Sequence, residues 1–389
     1  MHMRRLFAVL LASAVLALQA GALAQEGTGE AAITAVTEQN AYGSVEYPQL
    51  AGLAQTALQD DINKAIVEKG QIAEHLQTLS GLKEGGWGLT VNYKSTLQNG
   101  ILSVLMGAYG EMPNGRMGQT YAVVNEDLKT GKPIAAADLF TDAEGAFAFM
   151  EQKLMDEVQP ELSGYMENDA LTPIPRETFF LTPEYITFYY PQDQFSMLSG
   201  YSGGCSFFYY ELADYLNLSP GSVLDSLKAG SYLKIEEDTA RRVSETAAEG
   251  TLPGVDVHLG DSLIDRLNEL RLLVDPDFYP GGRFFEVEAP QMRGIWLLTD
   301  ALTESYEHSQ VLGIRAGRIN LYGIRPGVTT MAEWRAALGE PESSATLDDY
   351  TAEDFRLPAG TSDYYTYGEN KLRLHADEGG ILSSVQLIR

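Results

Sequence analysis

The residues Gly200-Tyr201-Ser202-Gly203-Gly204 fit the G-x-S-x-G pattern of a hydrolase nucleophile turn, where glycines let the chain bend sharply enough to expose a serine hydroxyl. Such a serine needs a strand before it, a helix after it and a basic group to take its proton. Here the next residues, Cys205-Ser206-Phe207-Phe208-Tyr209-Tyr210, read as a strand, and nothing upstream repeats a β-α-β pattern. The alternative reading is a glycine-supplied turn between two strands. That reading is preferred, and no catalytic residue is expected.

Other reactive side chains give the same answer. The Gly200 to Gly204 pattern also resembles the nucleophile turn of chymotrypsin-type proteases, with Tyr201 where an Asp would stand. That chemistry needs an upstream base, and His75 sits in the helical-looking Ala73-Glu74-His75-Leu76. Ser80-x-x-Lys83 matches the Ser/Lys pattern of penicillin-recognising enzymes, but the S-D-N and K-T-G companions are missing. Cys205 is the sole cysteine, so it closes no intrachain disulfide, and its aromatic neighbours make it a buried, inert thiol. His75, His258, His308 and His375 are isolated, and Asp275-Pro276-Asp277 lacks the remaining ligands of a calcium loop. The pairs Asp60-Asp61, Asp348-Asp349 and Glu353-Asp354 read as solvated faces. A glycosidase-like carboxylate pair stays open, because such residues meet in space rather than in order. Neither a metal nor a cofactor is expected.

The first 24 residues read as an export leader: Arg4 and Arg5, the apolar Leu6 to Leu18, then the small-x-small site Ala22-Leu23-Ala24. An uncleaved anchor is the alternative, since Leu6 to Ala24 is almost long enough to span a bilayer. The favoured reading places the mature chain outside the cytoplasmic membrane, secreted or in the cell envelope. Formal net charge is −27, and removing the leader's two arginines leaves 25 basic against 54 acidic side chains. Such a chain repels nucleic acid and anionic membranes and would attract a basic partner, although charge alone is read more simply as plain solubility.

The elements that would position a site form two α+β modules, each with helices packed on antiparallel sheet. A spacer at 25–32 precedes the first module, 33–235, with 33–158 and 159–235 as sub-units. Ile33 to Val45 reads as a first strand, and Pro48 opens a helical pattern through Leu50, Leu53, Ala57, Ile62 and Ile66. Leu89 to Leu97, Ile101 to Tyr109 and Gln119 to Asn125 form a meander, with a turn at Gln98-Asn99-Gly100. Thr141-x-x-Glu144 reads as a capping box ahead of the stripe Phe147, Met150, Leu154 and Val158. Residues 236–253 read as a linker, helical in part. The second module, 254–389, reads as a duplicated helix-plus-sheet unit. One helix carries Ile264, Leu267 and Leu270; the other carries Met331, Trp334 and Leu338 behind the capping box Thr330-x-x-Glu333.

Several segments of the first module carry a resemblance. They are Tyr47-Pro48-Gln49-Leu50, the helix around Ile62-Asn63-Lys64-Ala65-Ile66, the turn from Asn125 to Lys132 with Ala137-Asp138-Leu139-Phe140, and Phe180-Leu181-Thr182-Pro183-Glu184-Tyr185-Ile186. Together they resemble the paired extracellular domains of RsiV-type anti-sigma factors, the first of which also precedes the catalytic domain of PdaC-type peptidoglycan deacetylases. The resemblance covers about 33–234 and implies binding rather than catalysis, because RsiV-type members bind lysozyme, a basic protein. The chain departs from that family at Pro113-Asn114-Gly115-Arg116-Met117-Gly118, where members often carry a Gly-Gly-Ala-His-like loop. It also has no sigma-binding segment before Leu6 and no deacetylase motif. Gly327, Trp334, Leu338-Gly339-x-Pro341 and Tyr367-Gly368 give the second module a fainter resemblance to BamE-like and beta-lactamase-inhibitor-like repeats. The leading expectation is a secreted, non-enzymatic envelope protein that binds a protein or cell-wall ligand, such as a lysozyme-like basic muramidase. An envelope hydrolase and a structural surface module are the rivals. Contacts are expected in the two polar loops beside strands, at Glu111, Asn114 and Arg116, and at Asp193, Gln194, Tyr201 and Ser202.

Overall fold

A computed structural model describes residues 31–157, 173–190, 204–255, 257–264, 272–279, 282–287, 294–301 and 308–389. Strands β1 (Ala32–Asn40) and β2 (Gly43–Ala51) form a hairpin around Ala41 and Tyr42, where the sequence pattern pointed to a single strand. Pro48 lies inside β2, opposite Ala35, rather than opening a helix. It is tolerated there because β2 pairs with β3 (Leu89–Gln98) only at Gly43 to Val45, so that side of β2 is free farther along. That pairing is parallel, and the crossover between β2 and β3 is supplied by α1 (Thr56–Lys69) and α2 (Ile72–Gly81).

The expected meander follows as β3, β4 (Ile101–Glu111) and β5 (Met117–Asp127), with the short β6 (Lys132–Pro133) at the edge. Asn99 and Gly100 both take positive φ, as a two-residue hairpin turn requires. Strand β4 is apolar on both faces because the sheet is covered on both. Leu102, Val104, Met106 and Ala108 pack with Ile62, Ile66, Ile72 and Leu79 of the helices. On the opposite face, Leu105 and Val123 meet Phe180 and Tyr189 of a second, three-stranded sheet.

That second sheet comprises β7 (Phe179–Leu181), β8 (Tyr185–Tyr189) and β9 (Gly204–Phe208), all antiparallel. Helix α3 (Ala143–Glu157) packs Phe147, Met150 and Leu154 onto it; Val158 of the expected stripe lies outside the described residues. The capping box expected at Thr141 and Glu144 does not form. The Asp142 carboxylate accepts the Gly145 N–H at 3.0 Å and caps the helix instead. The Thr141 hydroxyl donates to the Tyr215 carbonyl, and Glu144 makes a two-pronged pair with Arg176 at 2.7 and 3.1 Å. A buried polar bridge joins the two sheets. Leu181 N–H donates to Ser103 Oγ, Ser103 Oγ donates to Asn125 Oδ1, and Asn125 Nδ2 donates to the Phe179 carbonyl at 2.7 Å.

Helix α4 (Val223–Ser226), capped by Ser222, precedes α5 (Thr239–Ala248). The stretch read as a partly helical linker therefore carries α5, whose Val243 and Ala247 enter the core of the C-terminal module. An eight-stranded antiparallel sheet dominates that module. Its strands are β10 (Leu272–Tyr279), β11 (Gly282–Val287), β12 (Ile295–Thr299), β13 (Val311–Ala316), β14 (Ser343–Leu347), β15 (Gly360–Tyr367), β16 (Asn370–Asp377) and β17 (Leu382–Ile388). Their spatial order is β10-β11-β12-β13-β17-β16-β15-β14, so two four-stranded meanders meet at their last strands. Helix α6 (Met331–Leu338) opens with the expected Thr330/Glu333 capping box and buries Trp334 completely. The Trp334 indole N–H donates to Asp363, a carboxylate also gripped by Arg335 and Ser344. The short α7 (Asp349–Asp354) follows β14. The whole is an α+β protein with helices packed against sheets.

Several buried bonds tie the two modules together. Arg318 of the second pairs with Glu211 of the first at 2.6 Å, and Asn320 donates to the Tyr232 carbonyl at 2.6 Å. Lys153 approaches the other oxygen of Glu211 at 3.4 Å. Arg242 lies over the rings of both Tyr232 and Tyr322.

Candidate functional site

The expected contact loop Glu111 to Gly118 is the hairpin tip between β4 and β5, and its own backbone fixes its shape. Met112 N–H donates to the Arg116 carbonyl and Gly115 N–H to the Met112 carbonyl, both at 2.8 Å. Asn114 Oδ1 accepts the Arg116 N–H at 3.0 Å, so Asn114 shapes the tip rather than reaching outward. Pro113, Asn114, Gly115 and Arg116 are exposed, and Glu111 is half-buried at the base.

Two neighbouring segments extend this end of the sheet. Glu111 N–H donates to the Gly88 carbonyl at 2.9 Å, and Leu89 N–H donates to the Tyr42 carbonyl at 3.3 Å. The close approach needs glycine. Gly110 has φ +122°, and a Cβ there would collide with the Gly88 carbonyl. This lacing sets Tyr42 of the β1–β2 turn, Trp87 before β3 and Tyr109 on β4 at one end of one sheet. All three are exposed, Trp87 by 61% and Tyr109 by 51%. Large aromatics left in water together on a rigid sheet end form a surface suited to binding. The sequence reading singled out the hairpin tip and missed Tyr42, Trp87 and Tyr109. Asp193, Gln194, Tyr201 and Ser202 lie outside the described residues.

Among the described residues, the candidate side chains His75, His375 and Cys205 are buried, whereas His258 and His308 are exposed. A serine–histidine hydrogen bond exists, between Ser362 Oγ and His375 Nδ1 at 2.8 Å, but both side chains are fully buried. His375 Nε2 lies 2.8 Å from the Pro358 carbonyl and Arg373 Nε donates to Ser362 Oγ, so the serine is held from every side. Burial pushes His375 below its ordinary range, so at neutral pH it is an uncharged imidazole in a structural network. His75 is 98% buried and lines a cavity of about 40 Å³ with Lys69, Gln71, Thr120 and Tyr121. That space suits water rather than a substrate. Burial likewise lowers the pKa of His75. Cys205 is buried on β9 opposite Phe188. Among the described residues, no group of three or more His, Cys, Asp or Glu is placed to hold a metal ion, and no helix is long and apolar enough to cross a membrane.

No protein-family model matches the chain, and no curated protein matches its sequence. Solved structures do. A DUF3298-family protein of Bacteroides fragilis is similar at 15% identity and a TM-score of 0.35, over 52% of this chain and 98% of its own. A DUF3298-family protein of Pseudomonas aeruginosa gives 14% and 0.34, over 48% and 94%. A DUF4309-family protein of Bacillus subtilis gives 11% and 0.24, over 39% and 96%.

Proposed function

We propose that this chain is an exported, non-enzymatic binding protein of the cell envelope whose ligand is a protein or cell-wall component. A lysozyme-like basic muramidase is the partner its charge fits. The observation that carries the reading is the exposed trio Tyr42, Trp87 and Tyr109, laced to the hairpin tip at one end of the first sheet. Aromatic side chains on a pre-formed surface supply contact area at low entropic cost, and they dominate binding energy where they are buried by a partner. The acidic balance adds long-range attraction for a cationic protein, while the leader-like first 24 residues support export. The Asn114 side chain and the backbone of the tip hold its shape, which suits recognition by a fixed surface.

The test is binding of the mature chain to lysozyme at low and high salt. Affinity should fall steeply with salt. The Trp87→Ala/Tyr109→Ala double variant should bind at least about tenfold more weakly with an unchanged melting temperature. Retention on purified cell walls without lysozyme binding would place the ligand in the wall. Binding to neither, or equal binding by the double variant, would reject the aromatic surface.

A further inference from the structure

Most buried or half-buried arginines in the two modules are engaged. Arg315 donates to the Phe355 carbonyl, Arg318 pairs with Glu211, Arg335 grips Asp363, and Arg373 donates to Ser362. Arg325 differs. Its side chain is half-buried, its Nε is buried without a hydrogen-bond partner, and among the described residues its guanidinium makes neither a hydrogen bond nor an ion pair. Its guanidinium lies over the Tyr210 ring, 5.7 Å from the centroid, with the Glu333 charge within electrostatic reach. Its backbone is clamped, with the N–H donating to Thr329 Oγ1 at 2.9 Å and the carbonyl accepting the Thr329 N–H at 3.0 Å. Burial lowers the pKa of Arg325, but guanidinium stays charged at any physiological pH.

Arg325 lines a cleft of about 560 Å³ at the junction of the modules, between the stretch 234–237 and helix α6. That volume falls within the range of about 300–1,000 Å³ typical of small-molecule sites, which favour domain junctions. Ile235, Val328, Ala336 and Ala337 give the cleft apolar walls. Lys234 is already paired with Glu236 at 3.1 Å, which leaves Arg325, among the described residues, as the cation of the cleft without a salt bridge or side-chain hydrogen bond. Glu237 and Glu333, both exposed, put negative charge on its rim, the Glu333 carboxylate being already held by the Thr330 N–H and hydroxyl. A simple anion would meet that rim unfavourably, and a simple cation would meet Arg325. A molecule carrying both charges satisfies the two.

We infer that this cleft binds a small zwitterion, a free amino acid or short peptide, with its carboxylate on Arg325 and its ammonium group toward Glu237. The site is separate from the aromatic surface at the far sheet end and does not depend on it. Guanidinium and carboxylate match as a planar fork, and a charge-assisted pair in a half-buried site is the strong kind.

Calorimetric titration of the full mature chain with alanyl-alanine, its C-terminal amide and its N-acetyl form tests the assignment. The free dipeptide should bind. The amide should bind about 10- to 100-fold more weakly. The N-acetyl form should also lose affinity. Arg325→Gln should abolish binding at an unchanged melting temperature while leaving any lysozyme binding intact. If Arg325→Gln perturbs folding, Glu237→Gln, at an exposed position, decides the matter: it should erase the preference for the free amine over the N-acetyl form. The inference is overturned if the amide binds as well as the acid, if the Glu237→Gln preference is unchanged, or if no probe binds more tightly than about 10 mM.

Discussion

Glu184 ends the Leu181-Thr182-Pro183-Glu184 segment within electrostatic reach of Arg242 and Tyr322, and burial pushes its carboxyl up to about 7, only partly offset by Arg242. Its folded pKa therefore lies above its ordinary value of 4.5, and between those two values the native state holds more protons than the unfolded chain. Stability from this group consequently falls as pH rises from about 4.5 to about 7 and is flat above. His75 and His375 act oppositely. Burial lowers both, so they withdraw stability as pH falls below 6.5. Replacing Glu184 with Gln should stabilise the protein by about 1–3 kcal/mol at pH 8, with the gain shrinking toward pH 4.5. Denaturant titrations of both proteins across that range measure the difference, and a gain independent of pH would contradict it. The local part of this site was legible, since Thr182 Oγ1 accepts the N–H groups of Glu184 and Tyr185 as a Thr-x-x turn does. The counter-charge was not, because Arg242 comes from a helix in a distant part of the chain.

At the scale of elements, the signals that held were those needing no distant partner. Asn99-Gly100 made its hairpin, Thr330 and Glu333 made their box, and the strand-like runs separated by turns placed the meander of β3 to β5. The misreadings arose where a tertiary partner won. The Tyr215 carbonyl takes the Thr141 hydroxyl and Arg176 takes Glu144, so that local capping pattern came apart. Strand β14 escaped notice because Ser343 to Leu347 is an edge with little apolar signal. The candidate surface was half legible: the hairpin tip stood out, and Trp334 was marked as core by its helical stripe, whereas Trp87, set among glycines, carried no pattern that assigned it a surface role. The Ser103–Asn125 bridge likewise looks like polar noise in apolar strands, yet it links two sheets. Asn125→Ala should destabilise the first module by about 1–3 kcal/mol, because the Phe179 carbonyl and Ser103 hydroxyl lose their buried partner. Chemical denaturation checks this, and an effect under about 0.5 kcal/mol would mean that water replaces the amide.

For the whole molecule, the Arg318–Glu211 pair decides whether the modules behave as one body. Both side chains are mostly buried, and removing one partner of such a pair leaves an uncompensated charge costing about 3–5 kcal/mol. Arg318→Ala should therefore split thermal unfolding into two calorimetric transitions, the first at a lower temperature than in the parent. A single transition at the parent temperature would mean that the remaining contacts suffice. The meeting of β13 with β17 has a further consequence, in time rather than space. Gly313 pairs with Ile388, although β14, β15 and β16 are synthesised between them. The eight-stranded sheet thus cannot be laid down in the order of translation. Its first four strands must wait, with the inner edge of β13 unpaired, until residues 382–388 exist. During that wait the bare edge is open to pairing with other chains, so the slow step in maturation and the main risk of aggregation fall on the same strand.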